Sequence, residues 1–259
     1  MGLFSNNKVQ NISIGSNVKW ANNSMLNAFS NCINFNSRVP IPNGTTTVFG
    51  AFFNCYLFNH PVEIPNSVTN MAYVLRGCNS FNQPVVLPNS VTDTAYAFAY
   101  CTLFNHPVNI PNTVTNMGSM FYKCSTFNQP VTIPGSVKSM VYAFDNCSAL
   151  NQKVVISNGA TNLVSGFRSC NNLRELVFKE GNVVNMKDML HGRNATFPRL
   201  NIYVNNKSQT YKMLQYSNTS YAVNNRAFGD MAISWSTSGG WLMNSTINVY
   251  INTTNQGWL

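Results

Sequence analysis

Cys32, Cys55, Cys78, Cys101, Cys124, Cys147 and Cys170 are the seven cysteines of this chain, and consecutive ones lie 23 residues apart. A grid this regular leaves few folds open, because each 23-residue stretch must make the same local structure and bury the same face against its neighbours. The other residues keep the register. Phe29, Phe52, Leu75, Phe98, Phe121, Phe144 and Phe167 precede the cysteines by three positions, and Phe35, Phe58, Phe81, Phe104, Phe127, Leu150 and Leu173 follow by three. Asn36, Asn59, Asn82, Asn105, Asn128 and Asn151 come next. Val39, Val62, Val85, Val108, Val131, Val154 and Val177 stand seven after each cysteine.

Each unit reads as a strand, a corner, a short helix and a descending turn. Pro107–Pro111 alternates apolar and polar like a strand buried on one face, and its final proline, which has no N–H, ends the strand. The next corner leads to Thr47, Asn70, Asp93, Asn116, Ser139, Asn162 and Asn185 in successive units, all residue types that cap a helical turn. Met117, Met120, Phe121 and Cys124 then have the spacing of one helix face. The expected architecture is an α/β repeat: a solenoid with one parallel sheet and short helices. Residues 1–23 form an N-terminal cap, 24–198 carry about seven units, and 199–259 form a β-rich C-terminal cap or docking module. In that tail Leu200–Val204 and Ile247–Ile251 read as strands.

The stretch Val85–Thr92, followed by a helical pattern and Cys101, resembles the BspA-type leucine-rich repeat. Val114–Cys124 with Phe127-Asn-Gln-Pro130 also resembles the repeat of mycoplasma lipoproteins and other bacterial surface proteins. The likeness spans roughly residues 24–190. It implies a right-handed leucine-rich-repeat solenoid used in adhesion or protein recognition, with no catalytic residues to carry over.

Composition bears on chemistry. Only 9% of the residues are charged, against roughly 25% in an average soluble domain, and 42 are Asn. An odd number of cysteines at one equivalent position is not a disulfide framework. On a buried face they are small hydrophobes, expected to be reduced and protected. No C-x-x-C pair suggests a metal site. His60 and His106 occupy a slot held elsewhere by Gln83, Gln129 and Gln152, which points to hydrogen bonding at a turn. Glu175 is expected to pair at the surface with Arg174 or Lys179. No acid/base dyad or phosphate loop is visible, so no catalytic residue, cofactor or metal is assigned and an enzyme is disfavoured.

The net charge of +9 is uneven. Residues 47–161 carry a net +1 and residues 162–226 a net +6, so Arg168, Arg174 and Lys179 mark a basic end suited to an acidic partner. Nucleic acid is disfavoured, for no recognition motif or cluster of stacking aromatics accompanies the charge. The outward strand slot varies from unit to unit through Pro40, Glu63, Val86, Asn109, Thr132, Val155 and Phe178, and this face is the expected binding surface. Tyr73, Tyr96 and Tyr142 share a second outward slot.

The start of the chain lacks an apolar run of signal-peptide length, and no stretch reaches 18 apolar residues. A chain made in the cytoplasm and ending in an assembled particle is therefore expected. The favoured role is a non-enzymatic structural or adhesive module of a bacteriophage virion: a tail, fibre or capsid-decorating protein. The alternative is a bacterial or protist surface adhesin or effector that binds host proteins. Expected partners are other proteins of an assembly, or a host receptor or glycan, and residues 199–259 offer a surface for self-association.

Overall fold

A computed structural model describes residues 2–6, 8–10, 12–15, 18–179, 185–192, 198–204, 241–243 and 247–251. Asn116 to Cys124 show how a unit is made. The N–H groups of Met117, Ser119, Phe121 and Lys123 donate forward to the carbonyls of Ser139, Val141, Ala143 and Asp145 in the next unit. Those of Met120, Tyr122 and Cys124 donate back three residues, to Met117, Ser119 and Phe121. Gly118 donates to the Asn116 side chain at 3.0 Å. Every amide of the segment is thus satisfied, half of them by the neighbouring unit.

This pattern corrects the expected short helix. A helix needs consecutive N–H groups directed back along the chain, whereas here alternate ones point across to the next unit. Two residues per unit are left-handed, five and one before the cysteine: Gly50 and Asn54, Tyr73 and Gly77, Tyr96 and Tyr100, Ser119 and Lys123, Tyr142 and Asn146, Ser165 and Ser169. A positive φ at the third residue of a four-residue turn is the requirement of a type II turn, and it breaks a right-handed helix. Among the described residues the one helical element is a three-residue 3-10 turn, Ala21–Asn23. The capping residues keep their role in another setting. Ser24, Thr47, Asn70, Asp93, Asn116, Asn162 and Asn185 each accept the N–H two residues on, and from Ser24 to Asn185 these slots are joined by parallel bridges.

The interior is built from columns of identical side chains. Phe98, Phe121, Phe144 and Phe167 stack at centroid distances of 5.6, 5.2 and 5.3 Å. A second column, Phe35, Phe58, Phe81, Phe104 and Phe127, stacks at 5.9, 6.1, 5.9 and 6.1 Å. Each ring is essentially inaccessible to water, which stabilises the fold by roughly 1.5–3 kcal/mol per side chain before packing is counted. All seven thiols are buried and unpaired by disulfides.

Among the described residues strands are confined to the second half of the chain. Strands β1 (Val131–Ile133), β2 (Val154–Ile156), β3 (Glu175–Phe178) and β4 (Leu200–Val204) are parallel neighbours. Strand β6 (Ile247–Ile251) pairs in parallel with β4, and β5 (Trp241–Met243) pairs antiparallel with β6. The two segments read as strands in the tail are therefore strands of this same sheet. The proline pattern explains where the sheet begins. Ser157 donates to Ile133 at 3.0 Å, whereas the equivalent donors in earlier units are Pro65, Pro88, Pro111 and Pro134, which have no N–H.

Strand β3 departs from the 23-residue register. Val154 pairs with Leu176, Val155 with Val177 and Ile156 with Phe178, a step of 22. Phe178 therefore does not belong to the outward slot. It is 1% exposed and takes the inward place of Ile156, while Val177 faces the Val155 position. A step of 23 would have put Lys179 in the core place of Ile156, and an unpaired buried ammonium is costly. Slipping by one residue turns Leu176 and Phe178 inward and leaves Lys179 exposed.

Candidate binding faces

The strand face carries the expected slot as Glu63, Val86, Asn109 and Thr132, all exposed, with Val155 half-buried. Val86 is 81% exposed, and Glu63 pairs with Arg38 across 2.6 Å. Among the described residues this face carries two ion pairs, Arg38–Glu63 and Lys153–Glu175, and no cluster of polar groups around one point. Of the basic end, Arg174 and Lys179 are exposed, but Arg168 is not part of the same surface. Its guanidinium lies 2.8 Å from Asp145, on the face made by the turns. Of the remaining cations of 162–226, Lys187 is half-buried and Arg199 exposed, and Arg193, Lys207, Lys212 and Arg226 lie outside the described residues. Glu175 pairs with Lys153 of the preceding unit at 3.2 Å rather than with Arg174 or Lys179.

The turn face is the more structured of the two. Arg76 stacks on Phe53 and Tyr100 at 4.9 and 5.1 Å, and Lys123 lies over Tyr100 and Tyr122 at 5.2 and 5.5 Å. Arg168 lies 5.5 Å over Tyr142. Tyr73 and Tyr96 stack at 4.6 Å, with Phe49 against Tyr73 at 5.2 Å. Arg76, Tyr96, Tyr100, Ser119, Tyr122, Tyr142 and Arg168 line one groove of about 380 Å3. The Nε of Arg76 is buried without a hydrogen-bond partner among the described residues.

Asp145 is the one fully buried acid among the described residues. Burial raises its carboxyl above the ordinary 3.8, and Arg168, through a hydrogen bond and its charge, pulls the other way. Asn146 also donates to it at 2.6 Å. Sequence reading missed this ion pair, yet the signal was available: Asp145 and Arg168 are 23 residues apart, the same slot of adjacent units.

The thiols form a ladder of their own. Cys78, Cys101, Cys124 and Cys147 donate Sγ–H to the carbonyls of Phe52, Leu75, Phe98 and Phe121 at 3.0–3.1 Å, and Cys170 reaches Phe144 at 2.9 Å. Burial pushes the thiols of Cys78, Cys101, Cys124 and Cys147 far above their ordinary value, so they stay protonated. A protonated, water-excluded thiol is neither a nucleophile nor a metal ligand. Cysteine at this slot combines a small apolar body with a donor for a buried carbonyl. Elsewhere Asn59, Asn82, Asn105, Asn128 and Asn151 donate their N–H to the Oδ1 of the asparagine one unit back, at 2.8–3.0 Å. His60 and His106 each meet the carbonyl of Asn36 or Asn82 at 3.2 Å through Nε2, as Gln129 meets that of Asn105 at 3.1 Å. The His and Gln slot is thus a hydrogen-bonded turn position.

Among the described residues no group of three or more His, Cys, Asp or Glu is placed to hold a metal ion, and no helix is long and apolar enough to cross a membrane. A family model described as "Mycoplasma protein of unknown function, DUF285" matches residues 2–89, 23–158 and 112–229. No curated protein and no solved structure matches the chain.

Proposed function

The chain belongs to the DUF285 family of Mycoplasma proteins of unknown function, and from that premise we propose that it is a non-enzymatic binding module of a larger assembly. Its units continue as a right-handed, leucine-rich-repeat-type solenoid of the BspA kind; the expected cap or docking module at 199–259 lies outside the described residues except for Arg199 and its three strands. The observation that carries this reading is the division of labour within each unit. Inward slots hold repeated Phe, Cys and Val, while the outward slots vary freely, as on a surface diversified for contact. The buried, hydrogen-bonded thiols are shielded from oxidants, so they suit work inside or outside a reducing compartment alike.

The proposed setting is a bacteriophage virion, as a tail, fibre or capsid-decorating protein. Mass spectrometry of purified particles tests it: the protein is expected among the structural components, and its absence from particles contradicts the virion setting. The second setting is an adhesin or effector at a bacterial or protist surface that binds host proteins; the family description names Mycoplasma and no function. Labelling of intact cells with a membrane-impermeant reagent is expected to tag the protein in that case and to leave it untagged in the first.

A further inference from the structure

The left-handed slot five residues before each cysteine holds Tyr73, Tyr96, Ser119 and Tyr142 in four successive units. Tyrosine is an uncommon choice at positive φ, where Asn27 and Gly50 fill the same slot with less strain. Three tyrosines there, with a serine among them, leave one ring missing from a row of rings. Ser119 is 3% exposed and becomes the floor of a notch walled by Tyr96 on one side and Tyr142 on the other.

The notch has a definite width. One unit separates Tyr73 from Tyr96 and their rings stack at 4.6 Å, so Tyr96 and Tyr142, two units apart, stand about 9 Å apart. A flat aromatic ring sandwiched at contact distance needs only about 7 Å. A puckered pyranose with axial hydrogens needs more, and its C–H faces stack well on tyrosine. The rim supplies donors. Arg76 and Arg168 both line the groove, and the outer nitrogens of a guanidinium can donate to an anion. Counting Lys123 and Asp145, this part of the face carries a net charge of +2.

We propose that the Ser119 notch binds a single pyranose ring bearing a carboxylate, held between the rings of Tyr96 and Tyr142 with the carboxylate toward Arg76. An aromatic side chain of a protein partner would fill the width poorly and bring no anion to the Arg76 guanidinium. The inference deepens the binding-module reading by naming a ligand class.

The test is ligand-observed NMR and calorimetry on the full chain with glucuronate, galacturonate, glucose and galactose, and with N-acetyltyrosine amide as the aromatic probe. At least one of the two uronates is expected to bind. Ser119→Tyr fills the notch with the residue its neighbours carry and is expected to weaken that binding at least tenfold without lowering the melting temperature. Tyr142→Ala removes a wall from the other side and is expected to do the same, so the outcome does not depend on one variant folding. Arg76→Gln is expected to weaken uronate binding about tenfold. Absence of uronate binding, binding that survives both Ser119→Tyr and Tyr142→Ala, or preference for the neutral sugars or the tyrosine amide would overturn the inference. Particle composition, which judges the proposed setting, is unaffected by any of these results.

Discussion

The units before Pro134 and those after it share one template but are held together differently. In the first group prolines flank the extended segment, the ladder donor is missing, and no strand forms among residues 39–111. Cohesion there comes from a continuous second phenylalanine column, from a first column interrupted at Leu75, and from side-chain ladders of asparagine, threonine and cysteine. In the second group Lys153 and Ser157 replace the prolines, and a parallel sheet begins at Val131. The second phenylalanine column stops in the same place, with Leu150 and Leu173 in the slots of Phe127. Backbone pairing is thus added where the second column of rings ends, while the first column runs on through Phe144 and Phe167. A unit that lacks ladder donors is joined to its neighbours through its turns and its core.

The largest expected effect tests the ring-stacked group. Phe104 touches the rings of Phe81, Phe98, Phe121 and Phe127, and Phe104→Ala is expected to cost about 3–5 kcal/mol in urea unfolding. Phe104→Leu, the choice of the sheet group in that slot, is expected to lose less. A smaller loss from Phe104→Ala than from Leu150→Ala would break the comparison. Next comes the start of the sheet. Ser157→Pro removes the N–H that reaches Ile133 and is expected to cost about 2–3 kcal/mol. In hydrogen exchange, protection is expected to fall at Val131 and to persist at Met117.

The third test concerns the Asp145–Arg168 pair. Because burial holds the Asp145 carboxyl above its ordinary value, the folded chain binds this proton more readily than the unfolded one. Its contribution therefore favours folding most in acid and shrinks as pH rises through the raised value. Arg168→Met removes the opposing cation. Its cost is expected to be small in acid and to grow to about 1–3 kcal/mol near neutrality, since Arg168 is itself partly exposed. A cost independent of pH would contradict the pairing. The smallest effect is at the exposed ladder: Asn82→Ala removes the acceptor for the Asn105 N–H and is expected to cost about 0.5–1.5 kcal/mol.

Much of this was legible in the sequence because a strict repeat turns one-dimensional spacing into contact. The cysteine grid fixes which residues stack, and the capping residues and the His and Gln slot do what their chemistry suggests. The short helix was misread because apolar residues three and four apart suit a chain of turns as well as a helix. The distinguishing signal lay at the left-handed slots, where Gly50, Gly77, Asn31, Asn54 and Asn146 are common turn residues but Tyr73 and Tyr96 disguise the pattern. The slip at β3 was hidden because Val177 happens to continue the valine row. Lys179 at the next inward place was the visible objection.

Everything above depends on the thiols being inside, one per unit, each donating to a carbonyl of the preceding unit. Reaction with Ellman's reagent at neutral pH measures this directly. The native chain is expected to leave all seven cysteines unlabelled, and the chain unfolded in guanidinium to release all seven. Labelling of most of them without denaturant would contradict the account.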